Sequence, residues 1–132
     1  LQHIDDLRVL AAQVRQTRTP LLLFFSAPGC PYCLDVRRNY LAPRVRDIAA
    51  AGVIVREIDI SSRRSFAGLD GSPLTECDFA GRFNVHVVPV VMAVDADLVS
   101  LGEPLIGLDR SGYYEAYLQN LIDIARTKLK AA

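Results

Sequence analysis

Cys30 and Cys33 stand three residues apart with Pro31 and Tyr32 between them, and that spacing admits three chemistries. The pair can be a redox dithiol, half of a zinc site, or a structural disulfide. Zinc wants two further thiolates or imidazoles, and only Cys77, His3 and His86 remain, with no second pair at ligand spacing. A structural disulfide needs neither the apolar run that ends just before Cys30 nor a proline at the first position of the following helix. Both features suit a redox pair. At a helix start the first sulfur lies near exposed N–H groups and the positive end of the dipole, while the second lies one turn inward. In such motifs the pKa of the first cysteine falls from about 8.5 to between roughly 3.5 and 7.5, so Cys30 is the expected nucleophile and Cys33 the resolving thiol. Taken by itself, the spacing leaves the other two readings open.

The elements that must position this pair follow from the apolar pattern. Leu21 to Ser26 is a continuous apolar run ended by Pro28-Gly29, as expected of a strand buried on both faces. Before it, Ile4, Leu7, Leu10, Ala11 and Val14 predict an amphipathic helix over 4–16. After it, Pro31 starts a helix that Val36, Tyr40, Leu41, Val45, Ile48 and Ala49 continue, with Pro43 expected to kink or break it. Val53 to Ile60 reads as a second strand, and residues 61–72 as irregular. Leu74, Cys77, Ala80 and Phe83 fall along one face of a third helix, which Asn84 can end in a left-handed conformation. Val87 to Val94 is a strand interrupted by Pro89, Asp95-Ala96-Asp97 a turn, and Leu98 to Glu103 a short strand that completes a hairpin. From about Ser111 to Lys130 a last helix aligns Tyr114, Leu118, Leu121, Ala125 and Leu129.

With 132 residues, 51% of them apolar, the chain suffices for one domain spanning 1–132. Fifteen basic residues balance fifteen acidic ones, which argues against nucleic acid or an anionic membrane as a partner held by charge. No apolar run approaches the ~20 residues that span a bilayer, so membrane insertion is not expected. Three cysteines cannot all pair within one chain, and two stand in one motif, so the count favours a redox or metal motif plus one leftover thiol. The start at Leu1 fits a removed export leader, or equally a trimmed chain.

Phe24-Phe25-Ser26-Ala27-Pro28-Gly29-Cys30-Pro31-Tyr32-Cys33, together with Phe83-Asn84-Val85-His86-Val87-Val88-Pro89-Val90, resembles the thioredoxin superfamily over nearly the whole chain. The resemblance implies an α/β thioredoxin fold, a central mixed sheet of about four strands flanked by about four helices. It also implies that Val88-Pro89 is the family's cis-proline pair facing the cysteines, and a proline inside a strand-like run agrees with that role, the alternative being a trans proline on an edge strand. Pro31, Tyr32, Val88 and Pro89 would then face substrate. Pro-Tyr between the cysteines is the glutaredoxin dipeptide, yet the Gly-Gly pair with which glutaredoxins approach glutathione is replaced by Ile106-Gly107-Leu108-Asp109. The overall pattern is most similar to bacterial periplasmic thioredoxin-like proteins, including those attached to sulfur-oxidation systems. The function so implied is thiol-disulfide exchange on protein disulfides, as reductase or isomerase, in a monomer without metal or organic cofactor. Its partners would be disulfide or dithiol clients and a dedicated electron-donor thiol protein, its place the periplasm, with the cytoplasm as the alternative. A dithiol oxidase and a non-enzymatic redox sensor or binding module are the competing functions.

The chain also departs from that family. Phe24 occupies the place of thioredoxin's buried aspartate; Glu57 and Asp59 are the nearest substitutes, although a charged residue near a strand end is more often solvated. Ser26 and Gly29 replace the flanking tryptophans, which predicts a flatter, less aromatic surface. Cys77 reads as an inert, half-buried small hydrophobe, His86 as a polar loop residue, and Tyr113, Tyr114 and Tyr117 as packing anchors. Arg37-Arg38 and Arg63-Arg64 read as solvated basic pairs.

Overall fold

The computed structural model describes residues 1–46 and 51–131. Helix α1 (Leu7–Thr17) begins where the Asp6 carboxylate accepts the Arg8 N–H at 2.9 Å, and ends at Arg18 with φ 50°. Ile4 belongs to the core but precedes the helix, which therefore starts later than its apolar spacing implies. Strand β1 (Leu21–Ser26) has the predicted bounds and is buried throughout. It lies at the centre of a four-stranded sheet, parallel to β2 (Ile54–Asp59) and antiparallel to β5 (Val90–Val94), which carries the edge strand β6 (Leu105–Ile106).

Because side chains alternate along a strand, β1 divides the core in two. Leu21, Leu23 and Phe25 pack with α1, and Leu22 and Phe24 pack with Cys33, Val36 and the last helix, α5 (Tyr114–Ala131). Burying each of these large side chains stabilises the fold by about 1.5–3 kcal/mol, so both layers are held to the sheet by one strand.

The helix after the cysteines crosses Pro43 by changing pitch. It runs as α2 (Pro31–Asp35), then a π-helical stretch over Val36–Leu41, then α3 (Ala42–Val45). The Ala42 N–H reaches back five residues to the Arg37 carbonyl, so the widened turn precedes the proline whose missing N–H an α-helix would have required. Pro43 is thus absorbed without breaking the helix. The predicted positions Ile48 and Ala49 lie outside the described residues.

Four other readings need correction. Residues 61–72 are not wholly irregular: Ser65–Ala67 (β3) pairs antiparallel with Pro73–Thr75 (β4), setting buried Phe66 against buried Leu74. Leu74 therefore lies in a strand, ahead of helix α4 (Glu76–Arg82), whose buried side chains are Glu76, Phe79 and Ala80 while Cys77 is exposed. The expected turn at 95–97 forms, with Asp95 accepting the Asp97 and Val99 N–H groups at 2.9 Å and Leu98 at φ 65°. The return strand expected over 98–103, however, shrinks to a bridge between Ser100 and Val94 with the Leu101 N–H on the Ala93 carbonyl at 2.8 Å, and the edge strand proper is Leu105–Ile106. Among the three tyrosines only Tyr114 is buried, its ring centroid 4.8 Å from that of Tyr40; Tyr113 and Tyr117 are exposed. Asn84, with φ 56°, follows α4 in the left-handed conformation. No described helix is long and apolar enough to cross a membrane.

Candidate functional site

The site forms where β1 ends. Gly29, at φ 72°, takes a conformation that L side chains rarely adopt, and this turn delivers Cys30 to the start of α2. Cys30 is the capping residue, and its Sγ accepts the Cys33 N–H at 3.1 Å. Pro31 then begins the helix, its absent N–H costing nothing at that position. Cys30 and Cys33 are joined by a disulfide, with Cα atoms 5.2 Å apart. Their exposures differ: Cys30 is half-buried, whereas Cys33 is 1% exposed, so an external disulfide meets the first sulfur and not the second.

Tyr32 is exposed beside them, with the Arg110 guanidinium 5.5 Å from its ring centroid. On the antiparallel neighbour Phe25 pairs with Val90, which places Val88 and Pro89 at the same end of the sheet as the cysteines. The Val88–Pro89 peptide is cis, Pro89 is buried, and Val88 packs against both core layers. His86 and Val87 lie exposed in the preceding loop. Cys77 is on α4, and among the described residues no cluster of three or more His, Cys, Asp or Glu side chains could hold a metal.

Beside Cys30 the surface is an open groove of about 550 Å³ whose lining holds no Phe, Tyr or Trp side chain among the described residues, in keeping with the less aromatic surface expected where the tryptophans are missing. Its lining includes Ser26, Pro28, Cys30, Arg37 and Glu57. Glu57, expected to be solvated, is 5% exposed and fully partnered. Arg37 donates through Nε to Oε1 at 3.0 Å and through Nη2 to Oε2 at 2.5 Å, and the Ser26 hydroxyl donates to Oε2 at 2.6 Å. Arg37 is therefore no solvated half of a basic pair, and Arg64 likewise holds the Ile4 carbonyl and Asp5, each at 2.6 Å. A second buried acid, Glu76, lies 2.8 Å from His3 Nδ1 and accepts the Asp59 N–H at 3.3 Å. The one sequence signal for the Ser26, Arg37 and Glu57 cluster was Arg37 standing one helical turn beyond Cys33, since no local pattern links strand residue 57 to helix residue 37.

Burial alone would raise the pKa of Glu57, but the hydrogen bonds from Arg37 and Ser26, with the charges of Arg37 and His3, outweigh it and hold the carboxyl below its ordinary value. The unfolded chain then binds this proton first as pH falls, so the stabilisation is present above about pH 4.5 and is lost as the pH drops through the lower folded value. Acid unfolding followed by circular dichroism is expected to start at less acidic pH with Glu57 present than its depressed pKa alone would place it, and Glu57→Gln should flatten this limb. An unchanged acid limb in that variant would remove Glu57 from the account.

A model of the thioredoxin-like domain matches residues 7–120. No curated protein matches the sequence. Among solved structures, a thioredoxin-fold protein from Helicobacter pylori is 19% identical with a TM-score of 0.61, covering 86% of this chain and 81% of its own. Spinach chloroplast thioredoxin f is 15% identical with a TM-score of 0.61, covering 94% and 92%. Poplar thioredoxin h is 13% identical with a TM-score of 0.60, covering 86% of each. At these identities the likeness is one of fold.

Proposed function

We infer that this chain, which belongs to the thioredoxin-like domain family, is a thiol-disulfide oxidoreductase that works on protein disulfides as a reductase or isomerase. The observation that carries the reading is the asymmetry of the pair: Cys30 caps a helix and receives the Cys33 N–H, while Cys33 is buried behind it. A negative sulfur at Cys30 is stabilised by that donor and by the helix start, so the thiolate is populated at neutral pH. It attacks one sulfur of a client disulfide, the client S–S bond breaks, and the departing thiolate takes a proton from water. Cys33 then gives up its proton and attacks Cys30 Sγ, releasing the second client thiol and leaving Cys30 and Cys33 oxidised as they stand in the structure. Two electrons pass to the client, and a donor dithiol must return them.

The direction rests on the Pro31-Tyr32 dipeptide, which resembles that of glutaredoxins and argues for a potential of about −200 to −230 mV. A dedicated electron-donor thiol protein and an exported, periplasmic setting complete the proposal, on sequence resemblance. Equilibrating the protein with glutathione buffers and trapping free thiols tests it. Reduced protein should show three trappable thiols and oxidised protein one, Cys77, with both others lost in a single two-electron step. A potential near −120 mV would make the protein a dithiol oxidase instead.

A further inference from the structure

We propose that Arg37 and Glu57 act as a charge-balanced pair in the groove beside Cys30, setting how readily that thiol ionises and hence how strongly the dithiol holds its electrons. The proposal rests on Cys30 being the nucleophile. Glu57 lies level with Phe24 across the parallel strands, and residues paired in register share a face, so its carboxylate lies on the side of the sheet that also carries Cys33 and Val36. Arg37 reaches the same point from the helix, its guanidinium 5.6 Å from the Phe24 ring centroid. Both line the groove that contains Cys30, together with Pro28, Pro31 and Leu34.

Held by two hydrogen bonds, the opposite charges nearly cancel at the sulfur. Each becomes active when the other is removed. Without the carboxylate, the guanidinium favours the Cys30 thiolate, the reduced form gains stability, and the protein becomes a stronger oxidant. Without the guanidinium, the carboxylate opposes the thiolate and the shift reverses. Two neutral amides in their places restore the balance. The remaining charged neighbours are left in place in these variants: His3 beside Glu76, Asp59 bonded to the Ser61 hydroxyl and N–H, and Arg110 over Tyr32.

A merely structural pair gives a different pattern. Removing either partner of a partly buried ion pair destabilises the fold, so both single variants would move stability the same way. The redox readout instead changes sign between them. These are positioning residues, acting through Cys30.

The test uses the full chain, with Glu57→Gln, Arg37→Gln, the double variant, and Arg37→Lys as the charge-conserving control. The pH profile of Cys30 alkylation by iodoacetamide is measured on reduced protein, alongside the equilibrium with glutathione. Glu57→Gln should move the alkylation midpoint to lower pH and favour reduction by glutathione by about threefold or more, and Arg37→Gln should move both readouts the other way. The double variant should return to within about twofold of the starting protein, because it removes two charges of opposite effect together. Arg37→Lys should keep the original profile, and its comparison with Arg37→Gln decides the matter if the Glu57 variants do not fold. Shifts of the same sign in the two single variants, or none, would overturn the proposal. Alkylation needs no turnover, so a protein that fails to cycle with glutathione would sink the oxidoreductase reading while this ionisation test still gives its own answer.

Discussion

Cys30→Ser is expected to reduce insulin disulfides no faster than the protein-free reaction, and Cys33→Ser to stall with its client attached. The two cysteines have different exposures, which makes the two outcomes unequal. Cys30 is the sulfur a client can reach, and serine at the helix start offers no thiolate to attack a disulfide. Cys33→Ser keeps that attack but lacks the second nucleophile, so the mixed disulfide at Cys30 accumulates until an outside thiol releases it. Non-reducing electrophoresis after acid quenching, with insulin turbidity as the rate, separates the cases. Wild-type turnover in Cys30→Ser would sink the assignment, and a trapped adduct on Cys33 would reverse the roles. Binding of a partner that ignores both substitutions would instead favour a module without turnover.

How much of this was legible depended on how much of each feature is local. Strand β1 was read to the residue because six consecutive apolar or small positions before Pro28-Gly29 leave no competing period. The start of α2 was legible for the same reason, since Cys30, Pro31 and the helical spacing after them act within one turn. The β3–β4 hairpin was not, because strands of three residues carry too little alternation to stand out from Ser, Arg and Gly. The Asp95 turn was legible, but the return limb pairs only at Ser100 and Leu101 before the two-residue edge strand Leu105–Ile106, which is too short to carry a pattern. Cys77 was placed on the wrong side of α4 once Leu74 was counted as part of that helix. Glu57 was legible as a substitute for the family's buried acid, but its burial was not. A carboxylate can be 5% exposed only with partners, and these come from a helix 20 positions away and from the end of the neighbouring strand. Tertiary pairing of this kind has no signature in the strand that bears the acid.

The position of the family's buried acid provides the second large expected effect. Phe24 is fully buried among Leu22, Cys33, Val36 and Leu41, with Arg37 above its ring and Glu57 level with it on β2. Phe24→Ala removes an aromatic ring from a packed layer, which costs about 3–5 kcal/mol. Phe24→Asp removes the same ring and also puts a carboxyl into that layer, beside an acid already present. The Arg37 and Glu57 charges beside the new group oppose each other, and desolvation in the packed layer favours its neutral form, so its folded pKa is raised. The unfolded chain then releases the proton first as pH rises, and stability falls between the unfolded and folded pKa values, opposite in sign to the contribution of Glu57. Urea unfolding should therefore show Phe24→Asp less stable than Phe24→Ala at pH 7, with the gap narrowing toward pH 4. A Phe24→Asp midpoint equal to that of the starting protein would mean that this face of β1 tolerates a charge. The layer behind Cys33 would then be wet enough to pass a proton through position 24. The expected loss says instead that the proton leaving Cys33 takes another route, because that position is built as hydrophobic core beneath the Arg37–Glu57 pair.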